Sequence, residues 1–108
     1  MGFPTINMAV PQGFELDFGV YAVWVTLDGL RFRGALHWGP IPTFEEEQTS
    51  LEVFLLGLEE QDLSQADTTH IEVDIVERIR DVMKFSSIPE LTTQMELDVQ
   101  TARKVLHE

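Results

Sequence analysis

GVYAVWVTLDGLRFRGALH, residues 19–37, decides the fold class. Its first half is rich in β-branched and aromatic residues, which suit a pleated, half-buried surface. Asp28-Gly29 follows, a strong signal for a two-residue hairpin turn, and the second half alternates. Leu30, Phe32 and Gly34 then share one face, and Arg31 and Arg33 the other. Residues 19–37 therefore predict an antiparallel hairpin.

Outward from the hairpin, WGPIPTF (38–44) breaks the alternation with two prolines and reads as a loop. The adjacent Glu45, Glu46 and Glu47 suit a solvated loop. SLEVFLLGL (50–58) predicts another strand, with Leu51, Val53 and Leu55 on one face and Glu52, Phe54 and Leu56 on the other. The polar stretch 59–69 reads as irregular. HIEVDIVERI (70–79) sets Ile71, Val73 and Ile75 against Glu72, Asp74 and Val76, the pattern of a half-buried antiparallel strand. The chain closes on a helix. Ser87 and Glu90 form a capping box. Ile88, Leu91, Met95, Val99, Ala102 and Leu106 recur as one apolar stripe, and Arg103 and Lys104 complement the helix dipole. These pieces predict one domain over 1–108, mainly β, a small antiparallel barrel or folded sheet with the helix on its outside.

The 108 residues are 44% hydrophobic, enough for a core without covalent staples. With no cysteine, disulfides and thiolate metal centres are excluded. His37, His70 and His107 have no metal-ligand spacing. The net charge of -12 repels phosphate backbones and argues against nucleic acid as a partner. There is no Walker loop, so a nucleotide's phosphates would need a metal ion or backbone N–H groups. No signal peptide is visible, Ile6 occupies the position where a myristoylation motif needs Ser or Thr, and no apolar run reaches a membrane span. The expectation is a soluble cytoplasmic protein. Trp24 and Trp38 read as packing residues.

MGFPTIN (1–7) places Thr5 and Asn7 on the same face of an extended segment. Two readings are open there: a pair of oxygens for a hard cation, or an ordinary polar edge.

The order of the pieces carries more information than any one of them. GFPTIN (2–7), GVYAVWV (19–25), GPIPTF (39–44), LEVFLL (51–56) and RIRDVMKFSSIPEL (78–91) together resemble the riboflavin kinase family over nearly the whole chain. The resemblance implies a Greek-key antiparallel barrel of six strands with a C-terminal helix. It implies ATP-dependent phosphorylation of riboflavin to FMN. The family's P-T-x-N threonine and asparagine bind Mg²⁺ with the ATP phosphates and fall on Thr5 and Asn7; its catalytic glutamate falls on Glu52. Nucleotide contacts fall on Leu55 and Gly57, and on Ser64 where the family has a tyrosine. The flavin ring packs near the segment Arg80 to Phe85, which contains Met83, with Arg80 and Phe85 as its contacts. ATP and riboflavin are the implied partners, with neither nucleic acid nor membrane.

The sequence also departs from the family pattern. Ile41 replaces an arginine, Phe54 a histidine, Val82 an acidic residue and Ser64 the tyrosine. The family's first strand and glycine-rich phosphate cover would precede Met1-Gly2. The expectations that follow are weak turnover, and an open barrel edge available for self-association. The alternatives are a flavin- or nucleotide-binding module without catalysis, or a self-associating β module.

Overall fold

The computed structural model describes residues 4–40, 49–57 and 70–107. Ile41, Glu45, Glu46, Glu47 and Ser64 lie outside them. The elements are β1 (Thr5–Asn7), β2 (Gly19–Leu27), β3 (Leu30–Pro40), β4 (Thr49–Leu55), β5 (Ile71–Arg80) and α1 (Ile88–Val105). The strands form one antiparallel sheet in the order β1-β4-β3-β2-β5. The meander β2-β3-β4 with β1 laid beside β4 is a Greek key. The sheet has five strands among the described residues, where the resemblance implied six, with β1 and β5 at its edges.

The hairpin forms as its sequence dictates. Leu27 pairs with Leu30 across Asp28 and Gly29, whose φ angles of 52° and 77° are those of a type I′ turn. Val23, Val25, Leu36, Val53 and Leu55 point to the inner face and, with Ile6, Tyr21 and Trp38, make the larger core. Gly34 is also there for want of space: a Cβ would lie 3.0 Å from Val53 and 3.1 Å from both Val23 and Val25.

The strand β3 runs through Trp38-Gly39-Pro40, which the prolines had suggested was loop. Trp38 holds the segment in place. Its Nε1 donates to the Leu16 carbonyl (2.8 Å), and Phe14 and Phe18 meet its ring edge-on at 5.2 and 5.3 Å. Pro40 is the last residue of the strand, where a missing N–H is tolerated.

Clean alternation also fails on β5. Register shifts against β2 fall between Val20 and Tyr21 and between Ala22 and Val23. Val76 and Ile79 are the extra residues, and Ile75 and Val76 are both exposed on this edge strand. The bulges bring Ile79 against the helix-side core and still aim Arg80 beneath α1.

The helix docks on the outer face because the sheet is shallow there. Ala22 and Ala35 are cross-strand partners, and the C-terminal half of α1 settles on them through Val99, Ala102 and Leu106. Ser87 caps the helix as expected, accepting from the Glu90 N–H, while the Glu90 carboxylate turns to Ser86 instead of back to Ser87. Ile88, assigned to the apolar stripe, is 60% exposed, and the stripe includes a buried charge, Asp98.

Candidate functional site

Directly paired residues in antiparallel strands point to the same side of the sheet. The register therefore defines a row across all five strands on the outer face: Asn7, Glu52, His37, Val20 and Arg80. A neighbouring row reads Thr5, Phe54, Ala35, Ala22 and Glu77. The C-terminal half of α1 covers the alanines closely. Its N-terminal half stands over the polar row and leaves a cavity of about 230 Å³.

Thr5, Glu52, Arg80, Met83 and Phe85, all assigned a role by the resemblance, line this cavity together. Leu91, Met95 and Val99 of α1 close it from above. Asn7 is the register partner of Glu52 but borders a second cavity, of about 480 Å³, between β1 and β5. Leu55 is fully buried on the inner face, and its N–H donates to the Pro4 carbonyl (2.9 Å), so its side chain does not reach the site. Gly57 follows in a turn with φ of 85° at the same end of β4.

The polar groups are held in defined states. Glu52 is half-buried, and burial pushes its carboxyl above the ordinary value. Arg80 makes a bidentate pair with Asp98: Nε donates to Oδ1 (2.8 Å) and Nη2 to Oδ2 (2.7 Å). Its Nη1 donates to the Asp81 carbonyl, and Gln94 donates to Asp98 Oδ1. The Arg80 fork thus ties β5 to α1, and the cation helps to form the cavity wall. His37 is 7% exposed, with Nδ1 3.2 Å from Ser50 Oγ. Its Nε2 is buried and has no hydrogen-bond partner among the described residues. Burial and then the nearby Arg80 push its pKa below the ordinary value.

Two of these residues had escaped the reading of the sequence. Asp98 was legible as a carboxylate three residues after Met95 and four before Ala102, within the apolar stripe. His37 was legible only through the register, which makes it the neighbour of Glu52.

Hard oxygen donors suit Mg²⁺, which keeps much of its water and takes further ligands from substrate phosphates. Thr5 and Asn7 are such donors on one face of β1. Among the described residues no cluster of three or more His, Asp or Glu side chains is arranged for a metal. Thr5 lines the site cavity and Asn7 the second one, so a cation held by this pair would need a nucleotide's phosphates to complete its shell.

Comparison with known proteins shows the family to which this chain belongs. The riboflavin kinase (flavokinase) family profile matches residues 1–106. The bifunctional riboflavin kinase/FMN adenylyltransferase of Bacillus subtilis (strain 168) is 37% identical over 106 residues, 94% of this chain and 32% of that protein. The protein of the same description from Haemophilus influenzae is 36% identical over 104 residues, 95% of this chain and 32% of that one. The chain thus spans about a third of the length of these relatives. A solved chain described as a macrolide-efflux protein from Streptococcus pneumoniae superposes with a TM-score of 0.74 at 29% identity, over 94% of this chain and 33% of that one. Among the described residues no helix is long and apolar enough to cross a membrane. With the profile spanning almost its whole length, this chain belongs to the riboflavin kinase family.

Proposed function

We propose that this chain transfers the γ-phosphoryl group of ATP to the terminal hydroxyl of riboflavin's ribityl chain, giving FMN and ADP, in the cytoplasm. One observation carries the reading: Thr5, Glu52, Arg80, Met83 and Phe85, from three separate stretches of the sequence, converge on one cavity. The flavin ring lies toward Met83, Phe85 and α1, and the terminal hydroxyl lies at Glu52. Glu52 accepts the hydroxyl proton as the oxygen attacks phosphorus and the bond to the β-phosphate oxygen breaks. A carboxylate made more basic by burial suits that task. Thr5 and Asn7 would hold Mg²⁺, which when bound neutralises charge on the phosphates. Leu55 and Gly57, and Ser64 where the family has a tyrosine, would be the nucleotide contacts. Phe54 and Val82, standing where the family pattern has polar residues, set an expectation of slow turnover.

FMN formation from ATP, Mg²⁺ and riboflavin tests the reading. Glu52→Gln should lower kcat by about 10²–10⁴ while riboflavin still quenches on binding. Thr5→Ala should abolish the strengthening of that binding by Mg-ADP. Riboflavin binding without FMN in the unmodified protein would favour a binding module. A second reading, self-association through the sheet edge, draws on the exposed Ile75 and Val76 of β5 and predicts a mass that rises with concentration.

A further inference from the structure

A buried imidazole nitrogen without a partner is costly unless something completes its hydrogen bonding. His37 Nε2 is such an atom, and His37 lines the site cavity. Its ring is fixed from behind by Ser50 on the neighbouring strand. It stands in the polar row between Glu52 on one side and Val20 and Arg80 on the other.

The row acts as a ruler. Adjacent strands lie about 4.8 Å apart, which sets the spacing of the Glu52 and His37 backbones. An extended polyol laid across the strands advances about 2.5 Å per two bonds, as any tetrahedral carbon chain does. At that pitch about 4.8 Å spans nearly four bonds, so a terminal hydroxyl at Glu52 brings the hydroxyl about three carbons further along to His37. Beyond Val20, the Arg80–Asp98 pair closes the row under α1.

Resting on the proposed kinase reading, we propose that His37 Nε2 binds an inner hydroxyl of the substrate's polyol chain, fixing how far the terminal hydroxyl reaches toward Glu52. His37 is in this sense a specificity-determining residue, distinct from the base. Its neutral ring suits a hydroxyl, which donates or accepts according to the tautomer Ser50 selects. The neighbouring Arg80 disfavours a protonated imidazole, and burial does so more strongly.

The test compares riboflavin with lumiflavin, which has the same ring system and a methyl group in place of the polyol. Both are titrated by fluorescence into the unmodified protein, His37→Leu and His37→Asn. His37→Leu should weaken riboflavin binding about tenfold and leave lumiflavin binding unchanged. His37→Asn should recover part of the loss. In the unmodified protein, which does not depend on the variants folding, the His37 ring ¹⁵N shifts should move with riboflavin and not with lumiflavin. Equal weakening of both ligands, or shifts that respond to both alike, overturns the inference while leaving the kinase reading in place. Binding of neither flavin to the unmodified protein overturns that reading and the inference with it.

Discussion

On the inner face of the sheet, Val53 and Leu55 are fully buried among apolar side chains; one residue away on the same strand, Glu52 faces outward into a half-covered row of polar groups. The two faces alternate along β2, β3 and β4, yet they are closed by different means. The inner face is covered by Phe14, Leu16 and Met8 from the connection after β1, with a cavity left between β1 and β5. The outer face is sealed by one helix, close over Ala22 and Ala35 and raised over His37 and Glu52. The larger core thus lies on one side and the proposed site on the other, where the helix stands off the polar row.

The sharpest way to break that contrast is to damage each face and compare. Leu55→Ala removes a fully buried side chain from the inner core and should destabilise the fold by about 3–4 kcal/mol. Urea unfolding should show the loss as a lower midpoint with an unchanged slope. If the loss were below about 1 kcal/mol, the inner face would not be the main source of stability.

On the outer face, the largest effect belongs to Asp98→Ala. It leaves Arg80 beneath α1 without its carboxylate and should cost about 2–3 kcal/mol, less than a wholly buried pair because Arg80 keeps some contact with solvent. The damage should centre on the cavity. Amide exchange should accelerate in the N-terminal half of α1 while Val23 and Val53 remain protected. The double variant Arg80→Met with Asp98→Leu should regain most of the stability, because an apolar pair replaces a desolvated ionic one. Equal acceleration of exchange on both faces would show that the helix and the sheet unfold as one unit.

The contrast also explains what could be read from the sequence. Period-two alternation specified the inner face residue by residue: Leu51, Val53 and Leu55 were assigned together and are buried together. The turn at Asp28-Gly29 was explicit because only a few residue types accept its positive φ. Glu52, Thr5, Arg80, Met83 and Phe85 were reached through the ordered motifs, and the cavity brings them together. His37 and Asp98 were not reached. A polar residue at an outward strand position looks solvated until a helix is placed over it, and no local pattern says where α1 will dock. The bulges at Val76 and Ile79 were invisible for a related reason, since they are properties of a strand pair. Trp38-Gly39-Pro40 was misread because its contacts with Leu16, Phe14 and Phe18 are remote in sequence.

The smallest expected effect sharpens the contrast most, because it opposes function to stability within one residue. Burial raises the pKa of Glu52, so the folded protein holds this proton at pH values where the unfolded chain has released it. Stability from this group is therefore greatest below the ordinary value of 4.5 and is lost as pH rises through the folded pKa. At pH 7 the full desolvation penalty is present, and Glu52→Gln should remove it, stabilising the fold by up to about 1 kcal/mol as activity falls. His37 has the opposite sign: its pKa lies below the ordinary 6.5, so its contribution weakens as pH falls from 6.5 through the folded pKa. With 19 acidic residues in the chain, an absolute pH profile mixes many titrations. The difference between Glu52→Gln and the unmodified protein isolates one of them. That difference should favour the variant at pH 7 and shrink toward pH 4.5; a variant less stable at pH 7 would mean that the Glu52 carboxylate is structurally satisfied and is not held ready for a substrate hydroxyl.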